Sequence, residues 1–466
     1  MVFESFYLKC LSHASYLIGD GGEAAVVDPQ RDVDEYVAAA AAHGLSIRWV
    51  LETHLHADFV SGHVELAKRT GATIVLGHKA GATFPHRAVK DGDSIEVGRV
   101  RIDVLETPGH TPEGVSYLVT DTADPATVPR LLTGDTLFVG DVGRPDLVTS
   151  KGYTGDQMAG LLYDSLHARI LALPDQVEVH PAHGAGSACG RNIGSERSST
   201  IGEQRRTNPS LRPMAKDEFV RLVTSDLPPA PAYFGLDAET NRRGATPLAE
   251  LAPPPPLSAE EVERRRDAGA VLLDVRDANS FLGGHVPGSV HVGLPGQFAS
   301  WAGSLLPHAA PIVLVSASTD EVEEARLRLA RVGLENVVGY LDGGVLAWHG
   351  SGRPVRALGQ VTVDELAKGQ AGTPRVIDVR RTDEFARGHV PGAMSVPLDR
   401  LAGSAELAAL SPDEPVALIC QSGYRSSMAA SLVARRHPGP IVNVIGGTSA
   451  WFAAGHPAET GQGQPA

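Results

Sequence analysis

The sequence is poor in aromatic residues and cysteine and has no long apolar run at its start. Aromatic residues make up 5% of the 466 residues, and three cysteines cannot all pair. Cys10, Cys189 and Cys420 lie far apart, so we expect free thiols in a reducing compartment. The stretch "MVFESFYLKCLSHASYLIGD" resembles neither a signal peptide nor a membrane span. We therefore expect a cytoplasmic protein without membrane contact.

Positive charge is also in short supply. Lysine and arginine number 41 against 55 aspartates and glutamates, which gives a net charge of −14. This balance disfavours a general nucleic-acid binder, because neutralising phosphates requires an excess of positive charge. A hydrophobic content of 42% with 51 glycines indicates a turn-rich globular protein. The length predicts about three domains at roughly 150 residues each.

A repeat fills the C-terminal half. The segments 271–294 and 375–398 match, which places Asp274 on Asp378 and His285 on His389. Each copy alternates strand-like and helix-like segments, a pattern typical of a parallel sheet flanked by helices. Upstream, "LAPPPPLS" predicts a stiff extended linker over 251–257. The expected domains are therefore 1–250, 258–356 and 359–462.

Histidines and aspartates follow strand-like segments at four places in the first domain. Side chains of these types on loops after buried strands suit a catalytic metal, because the strands fix the geometry and the loops stay open to substrate. A single such histidine would more often be structural, but four such loops predict a metal site. The residues are His54, His56, Asp58, His110, Asp135, His180 and His183.

The order of these motifs resembles the metallo-β-lactamase superfamily over about 1–250, which implies an αββα sandwich. "THLHAD", "TPGHTPEG" and "TGDTLFVGDVGRPD" are more narrowly similar to persulfide dioxygenases, which hold a single iron. Hydrolases of this fold have a further metal-binding histidine where this sequence has Phe59, and phenylalanine offers no lone pair. The resemblance therefore implies one Fe(II) per chain, held by His54, His110 and Asp135.

The same resemblance implies roles for neighbouring residues. His56, Asp58 and His183 would surround the metal and orient water or substrate. Arg144 matches the arginine that binds the substrate carboxylate in family members. Cys189, in "HGAGSACG", is either a sulfur relay or a buried structural thiol, and we favour the relay. The segment "PAHGAG" lacks the aromatic residue of the glutathione-using branch, so the thiol that carries the persulfide stays open.

The two repeats resemble rhodaneses, the sulfurtransferase fold. In the second copy, Cys420 ends a strand, and a six-residue loop from Cys420 to Arg425 opens a helix. The N–H groups of such a loop and the helix N-terminus stabilise a thiolate and its persulfide, and Arg425 adds a positive charge. The first copy has Ser316 and Glu321 at these two places, which predicts a catalytically silent copy that serves as scaffold or docking module. The substrate-binding residues implied are Gln421, Ser422, Gly423 and Tyr424.

These features predict an α/β multidomain protein, an αββα sandwich followed by two α/β domains with parallel sheets. The whole resembles fused persulfide dioxygenase–sulfurtransferases. The resemblance implies oxidation of a low-molecular-weight thiol persulfide by O2 to sulfite, thiosulfate formation at Cys420, a part in sulfide detoxification, and a homo-oligomer. Two alternatives stay open: a zinc thioester hydrolase of the glyoxalase II kind, and a non-enzymatic sulfur carrier or sensor.

Overall fold

The computed structural model describes residues 1–147, 152–225, 227–369 and 374–461. The chain divides into two compact units. The first unit contains Met1–Ala252 together with Leu327–Glu335, and the second contains Pro253–Arg326 and Asn336–Ala466. The short segment Leu327–Glu335 therefore belongs to the first unit although it lies in the sequence of the first repeat.

Two six-stranded sheets form the centre of the first unit. Their strands are β1 (Val2–Leu8), β2 (His13–Asp20), β3 (Glu23–Val27), β4 (Ser46–Leu51), β5 (Thr73–Gly77), β6 (Arg87–Val89), β7 (Ser94–Val97), β8 (Val100–Glu106), β9 (Val115–Asp121), β10 (Arg130–Gly134), β11 (Glu178–Pro181) and β12 (Ser199–Thr200). The first sheet has the order β1-β2-β3-β4-β5-β6, and the second has the order β12-β11-β10-β9-β8-β7. In β8, Val100, Ile102 and Val104 are buried while Arg101 is exposed, as the alternation of a strand requires.

Helices cover the outer faces of both sheets. They are α1 (Asp34–Ala42), α2 (His63–Thr70), α3 (Gly155–Ser165), α4 (Ile201–Thr207), α5 (Lys216–Thr224) and α6 (Phe234–Arg243). One core lies between the sheets and includes Tyr16 and Tyr117. Leu66 of α2 belongs to a second core with the first sheet, and Phe219 of α5 belongs to a third with the second sheet. This arrangement confirms the predicted αββα sandwich.

The second unit contains two five-stranded sheets, and every strand pair in them is parallel. The strands are β13 (Pro256–Leu257), β14 (Val271–Asp274), β15 (Val290–His291), β16 (Ile312–Val315), β17 (Val337–Leu341), β18 (Gly359–Val361), β19 (Arg375–Asp378), β20 (Met394–Ser395), β21 (Val416–Ile419) and β22 (Ile441–Val444). The sheet orders are β13-β17-β16-β14-β15 and β18-β22-β21-β19-β20. The same order in both sheets reflects the sequence repeat.

The helices of the repeats connect these parallel strands. They are α7 (Ala259–Asp267), α8 (Ala278–Gly283), α9 (Phe298–Leu305), α10 (Thr319–Ala330), α11 (Gly344–Gly350), α12 (Val363–Ala367), α13 (Thr382–Arg387), α14 (Leu398–Leu401), α15 (Ala405–Ala408), α16 (Tyr424–Ala434) and α17 (Gly447–Ala453). Single turns of other helix types occur in the first unit at Leu166–Ile170, Pro209–Leu211 and Leu248–Glu250. The α/β repeats with parallel sheets are as predicted.

The predicted linker is shorter than expected. Pro256 and Leu257 form β13, which pairs with β17 at the edge of the sheet. A proline is tolerated there because one side of an edge strand needs no N–H donor.

The sequence predicted free thiols and no membrane span. All three cysteines lie in the described ranges and are free thiols. Within those ranges, no helix combines the length and the apolar character needed to cross a membrane.

Candidate metal centre and sulfur-transfer loop

Three buried side chains from three loops converge in the first unit. His54 follows β4, His110 follows β8 and Asp135 follows β10 directly. Asp135 Oδ2 lies 3.4 Å from His110 Nε2 and 3.9 Å from His54 Nε2. The structure thus brings together the three residues that the sequence predicted as ligands, and we call them the metal trio.

Hydrogen bonds set the orientation of both imidazole rings. His110 Nδ1 lies 2.9 Å from the carbonyl oxygen of Arg144, which can only accept, so Nδ1 carries the proton. The Thr53 hydroxyl donates to Asp28, 2.9 Å away, and therefore accepts from His54 Nδ1, also at 2.9 Å. Each ring then directs the lone pair of its Nε2 toward the space between the three side chains. In metal sites, the second nitrogen of a ligating histidine is commonly hydrogen-bonded in this way.

The trio fits a divalent metal ion. Within the described ranges, His54 Nε2 and Asp135 Oδ2 have no hydrogen-bond partner, although both side chains are buried. Burial lowers the pKa of His54 well below its usual range, with nearby His56 adding to the effect, so the ring is neutral and able to bind a cation. When donor atoms bind one ion at about 2.0–2.2 Å, the distances between the donor atoms are close to those between Asp135 Oδ2 and the two Nε2 atoms. The first unit therefore contains a His/Asp metal-binding site.

A second cluster adjoins the trio. His183 Nδ1 lies 2.8 Å from Asp135 Oδ1, and His183 Nε2 lies 2.9 Å from Asp58 Oδ2. Burial acts to lower the pKa of His183, but these two carboxylates raise it well above its usual range. Cys189 offers its sulfur within 4.8 Å of ligand atoms of Asp58 and His183. Burial, then Asp58 and Asp135, raises the pKa of the Cys189 thiol, so the group is protonated in this state.

His56 is held by two carboxylates that the sequence analysis missed. Its Nε2 lies 3.2 Å from Asp28 and 3.4 Å from Glu52. Burial opposes the charged form, but Asp28 and Glu52 raise the pKa of His56 to about 10. The ring nevertheless lies beside the trio, with its centroid 4.2 Å from that of His54. His63, the first residue of α2, is buried, and its Nδ1 lies 3.2 Å from Glu52.

Phe59 occupies the place of the missing histidine as a packing residue. Its fully buried ring lies 4.4 Å from the ring of His56 and 4.2 Å from that of His13 between centroids. His13, another residue missed from the sequence, comes from β2, and the adjacent Ala14 donates its N–H to Ala182 at 2.7 Å. No motif marks His13, because it approaches the site only through strand pairing.

Arg144 was predicted to bind a substrate carboxylate, and in the structure its side chain has partners within the protein. Its guanidinium is buried and binds Asp146 through two hydrogen bonds of 2.7 and 2.8 Å. A further N–H donates to the carbonyl of Pro228 at 2.6 Å. Arg144 instead supports the trio, since its own carbonyl oxygen holds His110.

The second repeat places Cys420 in the predicted setting, with a shorter loop. Cys420 follows β21, and α16 begins at Tyr424, so Arg425 lies in the helix and not at the end of a six-residue loop. The Gly423 N–H donates to Cys420 Sγ at 3.1 Å, and the Ser426 hydroxyl, 3.4 Å from Sγ and 3.2 Å from the Gly423 carbonyl oxygen, can turn its proton to either acceptor. Gly423 has φ +106°, a conformation that favours glycine. Two donors therefore stabilise negative charge on this sulfur.

Two of the remaining loop residues, Arg425 and Tyr424, have partners that the sequence did not predict. Arg425 does not present a free charge, because Glu384 binds its guanidinium through two hydrogen bonds of 2.7 and 2.8 Å. Tyr424 donates its hydroxyl to the carbonyl of Gly293 in the first repeat at 2.9 Å. Gln421 and Ser422 are exposed at the loop tip, where a substrate can meet them.

In the corresponding loop of the first repeat, the carboxylate of Glu321 accepts a loop N–H. The Ala317 N–H donates to Glu321 at 2.7 Å, and the Ser316 hydroxyl donates to the carbonyl of Ser318 at 3.1 Å. Glu321 stands at the position of Arg425, and Ser280 stands at the position of Glu384. The described part of the first repeat therefore has no counterpart of the Arg425–Glu384 ion pair. The negative charge of Glu321 stands there instead.

This difference predicts that a cysteine alone will not activate the first repeat. In a Cys420→Ser background, Ser316→Cys should give no thiosulfate:cyanide sulfurtransferase activity above background, because the Glu321 carboxylate repels an anionic donor. The triple variant Ser280→Glu, Ser316→Cys, Glu321→Arg should give measurable activity. Activity in the single variant equal to that of the triple variant would show that Glu321 does not block the loop.

Comparison with known proteins matches both halves of the chain. The model of the metallo-beta-lactamase superfamily matches residues 8–175, and the rhodanese-like domain model matches residues 258–351 and 362–454. A probable metallo-hydrolase of Burkholderia pseudomallei is 31% identical over 261 residues, which cover 48% of this chain and 86% of the relative. The mitochondrial persulfide dioxygenase ETHE1 of Bos taurus is 30% identical over 233 residues, which cover 49% of this chain and 83% of the relative.

A solved structure extends the likeness past the first domain. The crystal structure of a metallo-beta-lactamase from Staphylococcus aureus subsp. aureus COL is 33% identical, with a TM-score of 0.66. The match covers 73% of this chain and 98% of that one. Because 73% exceeds the share of the N-terminal domain, the similarity continues into the repeats.

Proposed function

The chain belongs to the metallo-β-lactamase superfamily and carries two rhodanese-like domains, and on this premise we propose that it is an iron-dependent persulfide dioxygenase joined to a sulfurtransferase. One observation carries the proposal: a complete metal trio and a complete sulfur-holding loop occur in one chain. A metal centre beside a domain that handles sulfane sulfur favours a substrate that contains such sulfur. The similarity to a persulfide dioxygenase supports the same substrate class.

We propose Fe(II) as the metal, one ion per chain, held by His54, His110 and Asp135. Two imidazoles and one carboxylate with open positions suit non-haem iron, which would supply the activation of O2. The overall reaction consumes one persulfide, RSSH, one O2 and one water, and yields the thiol RSH, sulfite and two protons. We propose a small molecule as the carrier thiol RSH, in keeping with the similarity to a persulfide dioxygenase.

Residues around the trio would orient it and handle protons. His183 holds Asp135 by one nitrogen and Asp58 by the other, which fixes the unpaired Asp135 oxygen toward the trio. Asp58 and His183 would also exchange the protons that persulfide oxidation releases. The buried ring of Phe59 excludes water from the corner beside His56.

Cys420 would carry the sulfane sulfur in the second half of the reaction. The Cys420 thiolate attacks the outer sulfur of a persulfide donor, the S–S bond of the donor breaks, and the donor departs as the thiol RSH while Cys420 keeps a persulfide. Sulfite then attacks the outer sulfur, the S–S bond breaks, and thiosulfate departs while the electron pair returns to Cys420 Sγ. The Gly423 N–H and the Ser426 hydroxyl stabilise the thiolate that forms.

A zinc thioester hydrolase is the second candidate. Asp58 and His183 lie beside Asp135, so part of a second ligand set remains, and one relative is a probable metallo-hydrolase. Phe59 argues against this candidate because it adds no ligand to the second set.

Metal analysis together with activity assays tests the choice. Protein purified anaerobically with iron available should contain about one iron per chain and consume O2 with thiol persulfides, since one complete ligand set binds one ion. The same preparation should not hydrolyse thioesters of the glyoxalase II type. Two tightly bound zinc ions with thioester hydrolysis would establish the hydrolase, and absence of both activities would leave a carrier or sensor.

A further inference from the structure

The loop that carries part of the metal site is held at its main chain from several directions. Asn241 donates to the carbonyls of His56 and Phe59, each at 2.8 Å, and accepts from the Ser61 N–H at 2.8 Å. The Gly62 N–H donates to the carbonyl of Pro29 at 3.0 Å. We call residues 53–62 the metal loop.

One further support comes from the sequence of the first repeat. The Val60 N–H donates to the carbonyl of Arg331 at 2.8 Å. Val60 is fully buried, and a buried N–H without a partner costs free energy, so this bond matters to the loop. Arg331 belongs to Leu327–Glu335, the segment that is part of the first compact unit.

Ion pairs fix this segment in place. The Arg331 guanidinium binds Asp32 through two hydrogen bonds of 2.7 and 2.8 Å, and it also donates to Cys10 Sγ at 3.6 Å. Arg31 donates to Glu335 at 2.5 Å, and its side chain is almost fully buried. A two-point contact between a guanidinium and a carboxylate sets direction as well as distance. The carbonyl of Arg331 is therefore held where Val60 meets it.

From these contacts we propose that Arg331 is a positioning residue for the metal loop, and hence that the first repeat serves the metal centre. The repeat has no cysteine in its loop, yet it supplies a residue that fixes the chain two positions after Asp58. The proposal rests on the proposed metal site but not on the identity of the substrate. It assigns a specific task to a segment of the repeat that has Ser316 in place of the cysteine.

The test uses the full chain and compares Arg331→Ala with Arg353→Ala. Arg353 is a matched control, because it also lies in the first repeat and binds a carboxylate, Glu263, through two hydrogen bonds of 2.9 and 3.1 Å. The measurements are the rate of metal loss to a chelator, the absorption spectrum of the cobalt-substituted protein, and thermal unfolding. Arg331→Ala should lose metal about tenfold faster than wild type and shift the cobalt spectrum, as expected for residues that support ligands. Arg353→Ala should do neither.

A charge exchange separates positioning from general destabilisation. The double variant Asp32→Arg, Arg331→Asp should recover metal retention and spectrum relative to either single variant, because the pair is restored in reverse. Arg331→Lys serves if the alanine variant does not fold, and it should show a smaller change of the same sign. Wild-type metal retention in the Arg331 variants, or equal metal loss in Arg353→Ala, would overturn the inference. A wild-type protein that binds no metal would instead overturn the proposed function.

Discussion

Replacing His110 by alanine is expected to remove the bound metal and to lower persulfide-dependent oxygen consumption by about 100-fold or more. Supporting residues around metal ligands already contribute about 10- to 100-fold to affinity or activity, and a ligand contributes more. His110 has its Nδ1 proton fixed by the Arg144 carbonyl and its Nε2 3.4 Å from Asp135, so no neighbour replaces its lone pair. Elemental analysis and an oxygen electrode measure the two losses on one preparation.

A matched histidine controls for unfolding. His180 is half-buried, bonds Glu178 at 3.2 Å and packs against Phe3, away from the trio. His180→Ala should keep metal and oxygen consumption, and both variants should keep the sulfurtransferase activity of Cys420. Retention of metal in His110→Ala would show that the trio is not the metal site. Equal losses in the two variants would show that the effect arises from unfolding.

The second large effect is expected at Cys420. Cys420→Ser should lower thiosulfate:cyanide sulfurtransferase activity by about a thousandfold or more, because the sulfur is carried covalently and a hydroxyl cannot replace the thiolate. Oxygen consumption with persulfide should persist, since the metal trio is untouched. The variant should release sulfite from excess persulfide where the intact protein releases mainly thiosulfate. Ser316→Ala is the control and should change neither product.

The same product analysis tests Cys189. A relay beside the trio predicts that Cys189→Ser raises the ratio of sulfite to thiosulfate while Cys420 is intact. Products and rates equal to wild type would make Cys189 a structural thiol, in agreement with its burial.

Thiosulfate as the main product of Cys420→Ser would contradict the proposed path of sulfur.

Sequence patterns predicted the parts of the fold that depend on local order. The alternation in strands such as β8 and the repeat that aligns Asp274 with Asp378 are properties of the chain itself. The metal trio was predictable because each residue follows a strand, although β4 lies in the first sheet and β8 and β10 lie in the second, on either side of β9. The cysteine loop was predictable because strand, loop and helix are consecutive in sequence.

Partners brought in by tertiary structure were not predictable in this way. Asp146 is close to Arg144 in sequence, but nothing in that stretch reveals that the distant Pro228 carbonyl also accepts from the guanidinium. The pairing of Arg425 with Glu384 joins residues 41 positions apart. A comparison between the repeats offered a signal here, because Ser280 and Glu321 replace both members of that pair together.

The contacts in the loop of the first repeat also bear on how a second transferase could evolve there. A mutation that restores only the cysteine meets the carboxylate of Glu321, which already accepts the Ala317 N–H. A mutation that restores only the arginine finds Ser280 and no acidic partner. We therefore expect that no single substitution gives this loop transferase activity, and that a second transferase needs a glutamate, a cysteine and an arginine at positions 280, 316 and 321 together.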